Sequence, residues 1–447
     1  MSALTKVARR ELHHTRSPFK VACSVPGGVL KSTLDCVDGY HGVEIAEEDR
    51  DKMSFITEWG AYRYRRVPQG FGPSGDGYTR RTDDILSATP DKPGMIDMEK
   101  IVDDILIWSE SMEDAFFRVC NVLSHAGKHG IVFCPKKFCF AKEEVEFVGL
   151  VIGKDGIRPT EQYKQAILDF PVPQSISDAR SWFGLINQVD YCFSKSLLMA
   201  PFRHLLKPST KFEWTEELEK CFVESKKKIL GLIEDGVKSF DPQLVTCLRP
   251  DWCKDGIGWI LQQKVCECDA VTPICCTDGW RLVLAGGRFT LPAESCYSPT
   301  EGECLAVAVG LKPSKFYTLG CPKLYVATDH KPLCDRALDT IANPRIVSIK
   351  ERTLWCNFHI LHVEGKSQQA ADALSRKKFS AAASVSKLQM IADADGVNES
   401  EDLESRLSAS LAAFIPSFGG SSTELRVINV GKLAAGVQGG QGHCDLG

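Results

Sequence analysis

The stretch Lys100-Ile101-Val102-Asp103-Asp104-Ile105-Leu106-Ile107-Trp108 constrains the fold more than any other. Two adjacent carboxylates are bracketed by apolar residues that would pair well in a β-hairpin, yet Asp is depleted in strands and needs a local reason to sit in one. A tight turn is one reason, because Asp favours turns and can bond its own backbone. A cation is another: Mg²⁺ takes a few carboxylate oxygens together with substrate phosphates, on a rigid element. For an isolated Asp-Asp the turn is the better reading, since short motifs often match by chance. The rest of the chain decides between them.

With 447 residues, two or three domains are expected, each able to bury its own core. The hydrophobic fraction of 43% and charged fraction of 25% are those of an ordinary globular protein. No apolar run reaches the length of a membrane span, and Met1-Ser2-Ala3-Leu4-Thr5-Lys6 lacks a signal-peptide core. The expectation is therefore an intracellular protein without a membrane partner, in cytoplasm, particle or nucleus. The 19 cysteines then read as mostly free thiols in a reducing compartment. A formal net charge of −4 argues against holding nucleic acid by bulk charge alone, and leaves room for a basic groove around an acidic centre.

Val43 and Ile45 alternate with polar residues and read as the start of a strand; Ser54 to Thr57 and Gly60 to Arg65 read as a hairpin. After the breaker-rich loop Val67 to Gly75, a polar helix is expected from about Asp76 to Leu86. Another runs from Glu113 to His125, with Phe116, Phe117, Val119, Cys120 and Leu123 at helical spacing. Phe138 to Leu150 suggests short strands. From Thr160 the pattern is helical, with Ser177 as N-cap of a helix presenting Trp182, Phe183, Ile186 and Val189, then an amphipathic helix from Glu216 to Leu232. Beyond Phe240-Asp241-Pro242, strands are expected at 244–251, around 257–261, at 281–289, 324–327 and 358–363. Helices are expected from Thr300, over 344–356, and over 368–374. From Lys377 the composition thins to Ala, Ser and Gly and reads as a largely disordered tail.

In this order, acidic residues stand at or beside strand ends twice: Asp35, Asp103 and Asp104 first, then Asp251, Glu303, Asp329 and Asp372. Such clusters suit chemistry at phosphorus, where two cations about 3.5–4 Å apart clamp the attacking and leaving oxygens. Without a cation, repulsion among the carboxylates would raise their pKa values and oppose folding. Singly, each has a plainer account. Glu303 stands three residues after Thr300, as in a capping box. Asp329 could serve a turn, Asp251 could cap one near Gly256, and Asp372 could be a solvated helical residue. The plain accounts leave the recurrent spacing unexplained.

Leu34-Asp35-Cys36-Val37-Asp38-Gly39-Tyr40-His41, Pro68-Gln69-Gly70-Phe71 and Val102-Asp103-Asp104 resemble successive palm motifs of a reverse transcriptase from gypsy-type LTR retrotransposons. Pro250 to Gly258, Glu301-Gly302-Glu303-Cys304-Leu305-Ala306, Ala327-Thr328-Asp329-His330-Lys331-Pro332-Leu333 and Ala370 to Arg376 resemble that family's ribonuclease H domain. The resemblance covers roughly residues 20 to 376 and implies an α/β and α+β multidomain fold. Residues 1–158 would form the palm with residual fingers, 159–240 the thumb and connection, and 241–378 a mixed five-stranded ribonuclease H-like sheet with helices. Residues 379–447 would be the tail.

The resemblance also implies roles. Asp35 and Asp103, with Asp104 beside them, would hold two Mg²⁺ ions for nucleotidyl transfer, with RNA template, DNA primer and deoxynucleoside triphosphates as partners. Tyr40 would gate against a 2′-hydroxyl, and Gln69 would contact the incoming nucleotide; otherwise they are a core aromatic and a turn residue. Lys137 and Phe147-Val148-Gly149 resemble the later palm and primer-grip motifs. Asp251, Glu303, Asp329 and Asp372 would hold two Mg²⁺ ions for cleaving the RNA of an RNA–DNA hybrid, told from DNA by its 2′-hydroxyls.

Three departures bear on this. Ile101 stands where the family often has an aromatic residue or Cys. The chain starts about 34 residues before Asp35, where the family places most of the fingers, which implies an impaired polymerase. No His lies between His362 and Asp372. Other parts of a Pol polyprotein are potential partners. The rival class is a non-catalytic, decayed or domesticated remnant that binds nucleic acid. Finally, Cys266, Cys268, Cys275 and Cys276 could hold Zn²⁺ tetrahedrally, though they form no C-x-x-C pair and a loop of free thiols reads at least as well.

Overall fold

The computed structural model describes residues 15–89, 97–207, 210–276, 278–334 and 343–364, with Thr5, Ala8 and His13. They fall into two compact units that meet in sequence at Val148 and Gly149. The expected short helix at 368–374, the tail and Asp372 lie outside the described residues.

In the first unit a short helix, α1 (Pro18–Ser24), leads to β1 (Leu30–Asp35). The hairpin β2 (Ser54–Thr57) and β3 (Gly60–Arg63) forms as expected, turning at Glu58-Trp59, with Gly60 at φ of 131° opening the second strand. Val43 and Ile45 are buried but start no strand; Glu44 makes a single antiparallel bridge to Arg66. Helix α2 (Pro73–Ser87) follows, then β4 (Met98–Ile101), β5 (Asp104–Ser109), helix α3 (Met112–Lys128), β6 (Cys139–Lys142) and β7 (Val145–Phe147).

The main sheet has the order β4-β5-β1-β6. Its inner strand β5 buries Ile105, Leu106 and Ile107, each worth about 1.5–3 kcal/mol. Helix α3, capped by Ser111 on the Asp114 amide, covers one face. Its buried stripe is Ala115, Val119, Val122 and Ala126, not the aromatic positions expected from the sequence. Phe116 and Phe117 are more than half exposed because they fall on the far side of that i, i+4, i+7, i+11 stripe.

The second unit begins with β8 (Leu150–Ile152) and β9 (Gly156–Pro159), then helices α4 (Glu161–Asp169), α5 (Ile176–Asn187) and α6 (Glu216–Ile233), and β10 (Val237–Lys238), which pairs with β9. Ser175, rather than Ser177, caps α5 by accepting from the Asp178 amide. Trp182 of α5 meets Phe222 of α6 edge to face at 4.9 Å, so the expected apolar face of α5 is a helix–helix contact.

A mixed five-stranded sheet completes this unit, from β11 (Thr246–Trp252), β12 (Gly256–Lys264), β13 (Trp280–Phe289), β14 (Leu324–Thr328) and β15 (His359–His362). Its order is β13-β12-β11-β14-β15, with β14 parallel to both β11 and β15 and the other pairings antiparallel. Helices α7 (Pro299–Leu311) and α8 (Pro344–Glu351) pack Cys304, Leu305, Ala306, Ala308, Ile346 and Ile349 around Ile257.

Candidate active sites

Register builds the first centre. β1 and β5 pair antiparallel with Asp35 opposite Asp104, and β4 and β5 pair with Ile101 opposite Asp104. Val102 and Asp103 are thus the two residues of the hairpin turn, and the Cys36 amide donates to the Asp103 carbonyl at 2.9 Å, holding the turn against the end of β1. Val102 has a φ of 52°, where a β-branched residue is strained by about 1–3 kcal/mol. The turn reading of the pair holds: Asp103 is a turn residue, and the turn sets three carboxylates at the ends of neighbouring strands.

The electrostatics of that edge are unfavourable for acids alone. Burial, then the charges of Asp35 and Asp103, push the Asp104 carboxyl up to about 6. Burial, with Asp35 adding to it, also raises Asp103, against the opposing influence of Tyr78, Lys100 and Lys137. Lys137 Nζ donates to Asp35 Oδ2 at 2.8 Å, and this bond holds the lysine above its ordinary range. Asp103 Oδ1 is buried and, among the described residues, meets no partner at full hydrogen-bond geometry, although Tyr78 stands close enough to lower its carboxyl. The oxygens of the three acids are not drawn within 4.8 Å of one another as a set, which like-charge repulsion accounts for. An all-oxygen donor set with excess negative charge and a buried oxygen short of full hydrogen-bond geometry fits a hard cation such as Mg²⁺.

Around the acids stand residues that the sequence reading placed and others that it missed. Tyr40 is half-buried, with its ring centroid 5.3 Å from that of Tyr78, and burial followed by Asp103 raises its hydroxyl. Gln69 is exposed at a turn where Gly70 has φ of 80°, joined to the acidic edge by no hydrogen bond among the described residues. Tyr78 and Gly39 were missed. A Cβ on Gly39 would stand 2.5 Å from Tyr78 Cζ and 2.8 Å from Asp103 Oδ1, so glycine is what lets that chain segment close over the turn. The sequence held no signal for them: Ser74, Asp76, Thr79 and Thr82 are buried, so α2 is an interior helix despite its polar composition.

In the second centre, β11 and β14 run parallel with Leu248 beside Val326. Asp251 stands three residues farther along β11 and Asp329 just past the end of β14, so the two parallel strands point both acids toward the same end of the sheet. Glu303 lies on α7, and it is not the capping residue that the sequence allowed. The box is formed by Ser298 and Glu301, whose Oε2 accepts from the Ser298 amide at 2.9 Å. Glu301 is further held by Asn343 at 3.0 Å and Arg345 at 2.9 Å. Glu303 is freed from capping and is buried, as is Asp251.

Close approach positions this helix. A Cβ on Gly302 would stand 2.2 Å from the Trp252 ring, so glycine lets the first turn of α7 lie on the end of β11, next to Asp251. Thr300 Oγ1 and His330 Nε2 are 2.9 Å apart and tie the same turn to the residue after Asp329. Burial lowers the His330 pKa, which favours the neutral ring in this bond. Asp251, Glu303 and Asp329 thus lie toward one end of the sheet, without their oxygens forming a set within 4.8 Å of one another; Asp372 lies outside the described residues. A glycine inside a helix pattern was the sequence signal for the Gly302 contact.

Comparison with known proteins finds two domain families along the chain. Residues 3–152 match the family described as reverse transcriptase (RNA-dependent DNA polymerase), and residues 241–351 match the RNase H-like domain found in reverse transcriptase. The Pol polyprotein of transposon gypsy from Drosophila melanogaster is 27% identical over 364 residues, 78% of this chain and 33% of the polyprotein. That of transposon 412 from the same organism is 27% identical over 350 residues, covering 77% and 26%. The chain spans about a third or less of the length of these curated relatives. Among solved structures, a foamy viral protease-reverse transcriptase dRH in complex with double-stranded DNA has a TM-score of 0.64 at 17% identity, covering 81% of this chain and 62% of that one. A foamy viral protease-reverse transcriptase in complex with RNA/DNA hybrid has a TM-score of 0.61 at 16% identity, covering 89% and 50%. These likenesses show the fold. No helix among the described residues is long and apolar enough to cross a membrane.

Proposed function

Because this chain joins a reverse transcriptase domain to a ribonuclease H-like domain, we propose that it performs RNA-directed DNA synthesis at the first acidic edge and cleaves the RNA of an RNA–DNA hybrid at the second. The observation that carries the reading is register: Asp35 stands opposite Asp104 with Asp103 in the turn between strands. In this reading residues 1–158 form the palm, 159–240 the thumb and connection, and 241–378 the ribonuclease H-like domain.

Asp35, Asp103 and Asp104 hold Mg²⁺ in the first centre, and Asp251, Glu303, Asp329 and Asp372 hold it in the second. Bound there, Mg²⁺ supplies the positive charge that activates the attacking oxygen and steadies the leaving one. Tyr40, packed beside Tyr78, serves in this reading as the gate against a 2′-hydroxyl of the incoming sugar. Gln69 offers its amide to the deoxynucleoside triphosphate from the exposed Gln69-Gly70 turn. Lys137 moderates the charge of Asp35 until substrate phosphates and cation arrive. In the second centre, Gly302 and the Thr300–His330 bond orient Glu303 and Asp329 without touching the scissile phosphate.

The test uses the full chain with Mg²⁺ on a hybrid carrying end-labelled RNA, beside extension of a DNA primer on an RNA template. Asp329→Asn should bring RNA cleavage to background and leave primer extension as in wild type, whereas Asp103→Asn should do the reverse. Cleavage that survives unchanged in Asp329→Asn overturns the ribonuclease assignment. A folded chain that binds hybrid but does neither reaction is the non-catalytic remnant.

A further inference from the structure

Strands β12 and β13 pair as far as Lys264 opposite Trp280, and residues 265–279 join them. This connection carries Cys266, Cys268, Cys275 and Cys276, whose spacing along the chain matches no common metal-binding pattern. In the fold, the four sulfurs lie within 4.8 Å of one another, the one such group of three or more ligating side chains among the described residues. Cys266 and Cys275 have their sulfurs 3.5 Å apart. A disulfide requires about 2.05 Å, so this is not a bonded pair. Four sulfurs at tetrahedral corners about 2.3 Å from a zinc ion stand about 3.8 Å from each other, which is the scale observed.

The surroundings fit a cation cradle. A Cβ at Gly279 would stand 2.4 Å from Cys276 Sγ and 2.6 Å from Cys266 Sγ, so the cluster closes only over a residue without a side chain. The Val265 amide donates to the Gly279 carbonyl at 2.8 Å and seals the neck of the loop. Trp280 Nε1 donates to Cys275 Sγ at 3.3 Å, the kind of outer bond that favours a thiolate and fixes its direction. Lys264 Nζ, bonded to the Cys268 carbonyl, places a positive charge beside what would be an anionic tetrathiolate. Cys276 is exposed and the other three are partly so, which leaves a path for entry.

We infer that Cys266, Cys268, Cys275 and Cys276 form a structural tetrathiolate site for Zn²⁺ that closes the β12–β13 connection. Each thiol that binds gives up its proton to solvent and each sulfur donates one pair to the metal; no oxidant or reductant takes part. Four protein ligands fill a tetrahedral shell, so no position is left for substrate. The site also lies far from Asp251. Asp251 faces Gly258, and Lys264 is six residues farther along β12, on the order of 20 Å at about 3.3 Å per residue.

The experiment is metal analysis of the full chain purified under reducing conditions. One zinc per chain is expected, kept in the Asp103→Asn/Asp329→Asn variant and reduced at least tenfold in Cys266→Ser/Cys275→Ser. Replacement by Co²⁺ should give the thiolate charge-transfer and intense visible bands of a tetrahedral sulfur site. Hydrogen exchange over 264–280 should speed up on chelation while that over 324–328 stays as it was, a readout needing no variant to fold. Zinc-free wild-type protein that shows no sulfur-to-cobalt band, a Cys266–Cys275 disulfide in the reduced preparation, or zinc retained in the double-Ser variant each overturns the assignment.

Discussion

Replacing Asp104 with Asn should stabilise the first unit while removing its chemistry. The folded carboxyl has its pKa raised from 3.8 to about 6, first by burial and then by Asp35 and Asp103. With a folded value above the unfolded one, folding favours the protonated acid. The charge therefore costs stability above about pH 6, and the cost vanishes as pH falls toward 3.8. The shift is about 2 pKa units, equivalent to about 3 kcal/mol at pH 7.5 as an upper figure. Asn keeps the shape and discards the charge. A chain of several domains does not unfold in one step, so a local readout is needed. Hydrogen exchange of the β5 amides, Asp104 to Ser109, reports opening of this sheet. In Mg²⁺-free buffer at pH 7.5, Asp104→Asn should slow their exchange roughly tenfold to a hundredfold. The difference should shrink to nothing near pH 4, and primer extension should be lost. Exchange that is unchanged or faster at pH 7.5 would refute the claim that this edge carries uncompensated charge.

Other expectations follow from the same contacts. Lys137 lowers both Asp103 and Asp104, so Lys137→Ala should move the acid limb of the primer-extension pH profile upward, readable from rates between pH 5 and 8. Gly39→Ala drives a methyl group into Tyr78 and Asp103; it should destabilise the hairpin turn by about 1–3 kcal/mol, seen as faster β5 exchange, and depress extension more than hybrid cleavage. Gly302→Ala meets the Trp252 ring and should lower hybrid cleavage with primer extension intact. Ser298→Ala removes the N-cap of α7 and should cost about 1 kcal/mol, measured as faster amide exchange in the first turn of that helix.

Local pattern carries what neighbouring residues decide. Alternation and breakers located β2–β3, β5 and the strands of the second sheet, and motif order singled out Asp35, Asp103, Asp104, Asp251, Glu303 and Asp329 as candidates. Where local pattern misled, a long-range contact had decided the outcome. Val43 and Ile45 have the alternation of a strand, but their bonds to Val67 and Arg65 close a single bridge, Glu44 to Arg66, and the pairing goes no farther. Phe116 and Phe117 have the hydrophobicity of a core face, but the sheet selects the alanine–valine stripe of α3. Thr300 and Glu303 have capping-box spacing, but the helix starts two residues earlier and Ser298 with Glu301 takes that role. Register, close approach and convergence belong to the tertiary structure alone. Pairing set Asp104 against Asp35, two glycines without Cβ atoms let Tyr78 and Trp252 press in, and a hairpin connection folded four scattered thiols together. None of these is written in the spacing of residues, because each depends on which distant segment the backbone meets.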